Sequence, residues 1–224
     1  MTGRCFLATF RPLIQTPGGR HAAARFGLPG FIDGSCRREP DFESPFPSIS
    51  ATCRAGNFAP RLGVGDRVAY LTVKGKYQQD SKAGWRFVAV LRVLERLSSH
   101  DEAASWYRHN GLALPSNCIV EGNEPKALEF TNGNPPAAVR DRVSATTDPV
   151  GAIKLWDSIY RRRVRKWPVF LVCEAELLEL SAPVRVEKSD ILAIFSTIPG
   201  TLTPPEISCA QVDSLLRIAP TRAA

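Results

Sequence analysis

"GVGDRVAYLTVKGKYQQDSKAGWRFVAVLRVLERL" (residues 63–97) holds the two most regular stretches of the chain, and its reading sets the fold. Gly65 and Asp66 give a turn signal. After them Val68, Tyr70 and Thr72 alternate with Ala69 and Leu71, the period-two pattern of a strand with one face in a core. The polar stretch 74–84 reads as a hairpin loop. "WRFVAVLRVLERL" (85–97) reads as the return strand, with Phe87, Ala89 and Leu91 alternating against Val88, Val90 and Arg92. An antiparallel pair is therefore predicted at the centre of the fold.

Working outward, "CFLATF" (5–10) reads as an opening strand. Residues 11–47 have little periodicity and are broken repeatedly by Gly and Pro, so a long N-terminal loop is predicted. Phe26, Phe31, Phe42 and Phe46 imply that it packs down. "SSHDEAASWYRHNG" (98–111) reads as a helix between Ser and Asp capping candidates and Gly111. Residues 112–136 read as irregular. In "TTDPVGAIKLWDSIYRRRVRKW" (146–167), Asp148 can cap a helix and Pro149 suits its first turn. Ile153, Trp156, Ile159, Tyr160 and Val164 then recur at helical spacing. The apolar runs "PVFLVCEAELLEL" (168–180) and "DILAIFS" (190–196) predict buried strands, and "SCAQVDSLLRI" (208–218) a closing helix. The sum is an α+β fold: a small, mostly antiparallel barrel or sheet decorated by two or three helices. It is read as one domain over residues 1–224, with a helix–strand elaboration over 149–218.

Composition narrows the function. A chain of 224 residues with 44% apolar content can build a core without staples. Lys and Arg number 29 against 22 Asp and Glu, a net charge of +7. That surplus points to a polyanionic partner, nucleic acid first and an anionic membrane surface second. Cys5, Cys36, Cys53, Cys118, Cys173 and Cys209 show no CxxC spacing, and no secretory leader precedes them, so reduced thiols in a cytoplasmic protein are expected. No apolar run approaches the roughly 18 residues of a membrane span. His21, His100 and His109 fit no metal-ligand spacing with one another or with Cys118, and neither a metal nor an organic cofactor is expected. Phosphate-loop, dinucleotide and nucleophile-elbow motifs are absent from the sequence.

Two charged stretches carry the chemistry. "GSCRREPDFESPFPSIS" (34–50) sets Arg37, Arg38, Glu39 and Asp41 in a proline-stiffened loop. Carboxylates there suit exocyclic amino donors, and arginines suit phosphate and carbonyl oxygens. Local pairing within a solvated loop is the alternative. "RRRVRK" (161–166) ends the strongest predicted helix. Arg161, Arg162, Arg163, Arg165 and Lys166 exceed what the helix dipole uses, so a phosphate-binding stripe is expected, extended by Lys74 and Lys76. Trp85 and Trp106 are candidates for a stacking wall and Trp156 for the core. Asn117 joins the base-pocket candidates. His109 and Cys118 lie nearby in sequence, yet more often pack or face solvent than catalyse.

The order of these features resembles the EVE domain of the PUA-like superfamily, which also holds the ASCH and YTH domains. The counterparts are Glu39-Pro40-Asp41, the segment Ala51–Arg54, Gly65-Asp66 through Tyr70, and Phe87 to Val93; Arg38 stands where the EVE pattern has Ser. The chain also resembles the nucleotide-modification-associated group of PUA-like domains, over residues 30 to 110. The resemblance implies a PUA-like barrel and a base or nucleotide held in a cleft beside it. It implies a binder of DNA or RNA, plain or base-modified, in a DNA-modification or phage-defence setting. A hydrolase acting on the modified base is the alternative: some ASCH relatives use Lys, Thr and Glu, for which Thr72, Lys74 and either Glu39 or Asp41 are the members available. A protein-interaction module is the third reading.

Overall fold

The structure is a computed structural model that describes residues 3–78, 80–198 and 203–219. Its strands are β1 (Cys5–Phe10), β2 (Ser48–Ser50), β3 (Arg67–Thr72), β4 (Trp85–Leu97), β5 (Phe170–Leu178), β6 (Val184–Val186) and β7 (Glu206–Ile207). Its α-helices are α1 (Pro17–Phe26), α2 (His100–His109), α3 (Ala137–Ser144), α4 (Pro149–Lys166), α5 (Lys188–Phe195) and α6 (Cys209–Ile218).

The β3–β4 pair is antiparallel, running from Arg67 opposite Arg92 to Leu71 opposite Phe87. Register shifts in β4 break the expected alternation. Val88, Ala89, Leu91 and Val93 share one core, whereas Trp85, Phe87 and Val90 face another. An extra residue at a bulge turns consecutive side chains to the same face. The sheet order is β2-β5-β4-β3-β1-β7, with β6 pairing the start of β4; β1 and β3 are parallel and every other pair is antiparallel. The predicted barrel is corrected here to an open sheet: no ladder joins β2 to β7 among the described residues. The two edge strands are only three and two residues long, which blunts the open edges.

One face of the sheet is covered by the N-terminal segment. Phe31, Phe42, Phe58 and Leu62 pack with Phe6, Phe10, Tyr70, Leu91 and Cys173. The segment 11–47 is not the structureless loop expected, since it contains α1. Thr16 caps that helix by accepting a hydrogen bond from the Gly19 N–H, and Gly27 ends it at φ 63°. Its glycines mask it in sequence, but Gly19 is there for close approach: a Cβ would fall 1.7 Å from the Leu13 carbonyl oxygen.

On the opposite face, α5 and α6 lie over Leu7, Ala69, Leu71 and Phe87. There α2 buries Ala103, Ala104 and Tyr107 against Phe170 and Val172. The "DILAIFS" run is therefore a helix, correcting the predicted strand. A short apolar run alone does not separate the two. The capping box between Glu187 and Asp190 decides it. Both α4 and α6 fall where expected, Asp148 accepting from the Val150 and Gly151 N–H groups.

The expectation of wholly reduced thiols is also corrected. Cys5 and Cys209 are disulfide-bonded across 204 positions, and Cys36, Cys53, Cys118 and Cys173 are free. Packing of α6 over β1 brings the pair together, which linear spacing cannot reveal. Thiol titration of unfolded, unreduced protein is expected to find four thiols, rising to six after reduction. Reduction should also lower Tm, because the link closes a long loop in the unfolded chain. Finding six thiols without reduction would rule out the bond. No described helix is long and apolar enough to cross a membrane.

Candidate functional site: a polar cleft with an arginine rim

The charges of the 34–50 segment point inward. Arg37 is fully buried. Its Nε and Nη2 donate to the Asp157 carboxylate on α4 at 2.7 and 3.0 Å, and its Nη1 to the Ser116 and Asn123 carbonyls at 3.0 and 2.8 Å. Arg38, equally buried, donates to the Asp33, Ser35 and Phe130 carbonyls and to Glu43. Asp41 accepts from the Ser116 N–H and hydroxyl and from the Glu43 N–H. Asn117 accepts from the Ser48 hydroxyl and donates to Glu39 Oε2 at 3.1 Å. Arg37, Arg38, Asp41 and Asn117 thus form the internal frame of the loops and not a ligand surface. A buried charge requires partners, and these side chains have found them within the chain.

Glu39 is the exception. It lines a cleft of about 610 Å³ together with Asp33, Arg11, Arg54, Arg140, Arg163, Tyr160 and the amides Asn57, Asn132 and Asn134. The fold assembles it from distant segments. Arg11 follows β1, Arg54 follows β2, the Asn132–Pro136 turn leads into α3, and Tyr160 and Arg163 project from α4. The first turn of α3 opens on the cleft with neither a side-chain cap nor an acidic residue.

The two acids form a buried floor. Glu39 Oε2 accepts from the hydroxyls of Ser50 and Thr52 at 2.6 and 2.9 Å and from Asn117, while the Ser50 N–H is shared between both oxygens at 3.0 Å. Among the described residues, Oε1 has no donor beyond this shared N–H. Burial pushes the Glu39 carboxyl up to about 8, against the pull of these hydrogen bonds. Asp33, held by the Ser35 N–H and hydroxyl at 2.9 and 2.5 Å, is also raised by burial. Burial likewise keeps the Cys53 thiol and the Tyr160 hydroxyl protonated. The rim is cationic. Arg163 Nη1 is fixed by the Thr52 and Cys53 carbonyls at 2.5 and 2.8 Å, and Arg54 donates to the Thr9 carbonyl. Arg11 and Arg140 are exposed. The cleft's balance is positive, with hydrogen-bonding groups beneath.

The remaining predicted residues disperse. Lys74 sits 5.2 Å over the Trp85 ring, and Trp85 is buried among the α5–α6 contacts. Trp106, on α2, packs edge-on against Phe46 at 5.4 Å. The two tryptophans belong to separate clusters and form no common wall. Lys76 is exposed on the hairpin loop. Thr72 is buried, its hydroxyl accepting from the Arg86 N–H at 2.9 Å. Among the described residues no hydrogen bond joins Thr72 or Lys74 to Glu39 or Asp41, so hydrogen bonding does not assemble the Lys–Thr–acid arrangement. The basic run splits as helical geometry demands, at about 100° per residue. Arg161 pairs with Asp157 at 2.6 Å and Arg163 turns to the cleft. Arg162, Arg165 and Lys166 are exposed, Lys166 lying 4.7 Å over the Trp167 ring.

His100 and Cys118 make no nucleophile pair. The imidazole Nδ1 accepts from the Ile119 N–H, and burial pulls its pKa down to about 4; the Cys118 thiol is pushed up to about 12. His109 is exposed. No group of three or more His, Cys, Asp or Glu among the described residues could hold a metal ion.

Asp33, Arg11, Arg54, Arg140 and the Asn132–Asn134 turn escape a reading of the sequence. Each is an isolated polar residue, and only the fold makes them neighbours. The chain matches no family model, no curated protein and no solved structure.

Proposed function

We propose that the chain binds nucleic acid or nucleotides by taking one unstacked nucleotide into this cleft, with phosphate on the arginine rim and the base over Glu39 and Asp33. The observation that carries the reading is the combination in one concavity of four arginines with two buried carboxyl groups. A volume near 610 Å³ falls in the roughly 300–1,000 Å³ range of sites for single small ligands. A base must leave its stack to enter such a site. The net charge of +7 and the exposed Arg162, Arg165 and Lys166, on the helix that also supplies Arg163, favour a longer polyanion beyond the cleft. The PUA-like resemblance adds the expectation that the base is a modified one.

Fluorescence anisotropy across salt, with single-stranded, duplex and base-modified oligonucleotides, tests this. Single strands are expected to bind more tightly than duplex, with affinity falling steeply as salt rises. Arg163→Ala is expected to weaken binding roughly tenfold and to reduce the salt slope by about one. Absence of binding at low salt would end the proposal.

One observation favours a second reading, a hydrolase acting on the bound base. A carboxyl that keeps its proton at neutral pH, as Glu39 does, can serve as a general acid. Overnight incubation of the tightest ligand, followed by chromatography, separates consumption from simple binding.

A further inference from the structure

We infer that the cleft takes a phosphate monoester, that is, a free nucleoside phosphate or the phosphorylated end of a strand, in preference to an internal nucleotide. This rests on the nucleotide reading above and specifies its ligand.

The argument is one of charge and geometry. The cleft brings Arg11, Arg54, Arg140 and Arg163 around a space that holds one small ligand. Against four cations it sets two acids, Asp33 and Glu39, both buried. A phosphodiester brings a single negative charge, while a monoester brings nearly two at neutral pH and three terminal oxygens. The monoester offers three terminal oxygens against the two of the diester, and so can accept from more of these arginines at once.

The rim is already arranged for this. Two backbone carbonyls pin one end of the Arg163 guanidinium, and its Nε and Nη2 make no hydrogen bond among the described residues. The Arg11 side chain has no hydrogen bond or ion pair there, and the one hydrogen bond of the Arg140 side chain is a long 3.5 Å approach to Pro135 O. Beside them the first turn of α3 presents Ala137 to the cleft with no side-chain cap and no acid in that turn to compete, the Val139 N–H being already held by the Pro136 carbonyl at 3.0 Å. Both oriented guanidinium donors and helix N–H groups favour a multiply charged oxyanion.

The test measures affinity of the full chain for a nucleoside, its 5′-monophosphate, ribose 5-phosphate, and one single-stranded oligonucleotide with 5′-hydroxyl or 5′-phosphate. Each additional charge-assisted hydrogen bond contributes roughly 10–100-fold in affinity. The monophosphate is therefore expected to bind at least about tenfold more tightly than the nucleoside. Tight monophosphate binding with no improvement for the 5′-phosphorylated strand identifies a free nucleotide as the ligand; an improvement in both identifies strand ends as well. Arg11→Ala/Arg140→Ala, which changes only exposed side chains, should shrink the monophosphate-over-nucleoside preference about tenfold and leave binding of the nucleoside, which carries no phosphate, nearly unaffected. Equal binding of 5′-hydroxyl and 5′-phosphate strands, together with equal binding of nucleoside and monophosphate, would overturn the inference and leave nucleotide binding standing. Ribose 5-phosphate binding as well as the monophosphate would instead remove the nucleotide reading while keeping the monoester site.

Discussion

Replacing Arg37 with alanine is expected to cost about 3–5 kcal/mol of folding stability, the usual consequence of stranding one member of a buried ion pair. The side chain has no exposed surface. It ties three segments together: its own loop, the Ser116–Asn123 stretch, and α4 through Asp157. Removal leaves two carbonyls without their donor and Asp157 with Arg161 as its remaining ion-pair partner, on a side chain that is 42% exposed. Urea denaturation of the parent and Arg37→Ala measures the loss. A second variant, Arg37→Met/Asp157→Leu, removes both charges and should recover a large part of it, because an apolar pair of similar size avoids the desolvation cost. A loss below about 1 kcal/mol in Arg37→Ala would mean that water reaches the pair and that the loops around the cleft are held by other contacts.

The same residue shows what the sequence can and cannot reveal. "RREPD" is legible as an unusual, stiff and charge-dense segment, but its side chains face inward because their partners lie far along the chain. Arg37 meets Asp157 across 120 positions, and Asp41 meets Ser116 across 75. Periodicity reports only which face of an element is apolar, so β3, β4, α2 and α4 are readable within a residue or two. It is blind to tertiary hydrogen bonding, and it cannot tell that a loop arginine is a core residue. The cleft is illegible for a related reason. Arg11, Asp33, Arg54, Arg140 and Arg163 are single residues on five separate segments, and parallel pairing of β1 with β3 together with the packing of α3 on α4 makes them neighbours. Within the 34–50 loop, Glu39 alone of the charged candidates lines the cleft, its acid character and proline neighbour making it conspicuous in sequence. The basic run misleads by its density: five cations on a helix distribute around it, and only Arg163 reaches the site.

Stability is expected to fall by about 2 kcal/mol between pH 6.5 and 8, and Glu39→Gln should abolish most of that fall. Burial raises the Glu39 carboxyl from its ordinary 4.5 to about 8 in the folded chain. The native state then holds close to one proton more than the unfolded state at pH 6.5 and about half of one at pH 8. Its contribution is complete below the unfolded value and is lost as pH rises through the folded one, with a limiting slope of about 1.4 kcal/mol per pH unit. Asp33 and Asp41 are raised in the same direction by burial. His100 acts oppositely. Its folded value near 4 lies below the ordinary 6.5, so its contribution is lost as pH falls through the unfolded value and opposes the Glu39 slope only weakly above pH 6.5. Glutamine suits the site: its carbonyl oxygen can occupy the place of Oε2, keeping the donors Ser50, Thr52 and Asn117. Above pH 8 the variant should therefore be the more stable protein, by a margin on the order of a few kcal/mol. Urea titrations of both proteins at pH 6.5 and 8 decide the matter. The result bears on function, because a neutral Glu39 removes one of the two acids set against the arginine rim and so helps it draw a phosphate in. Parallel pH profiles for the two proteins would mean that Glu39 is ionised at neutral pH. Its carboxylate would then repel a phosphate, and the ligand would have to bring a donor or cationic group to the cleft floor.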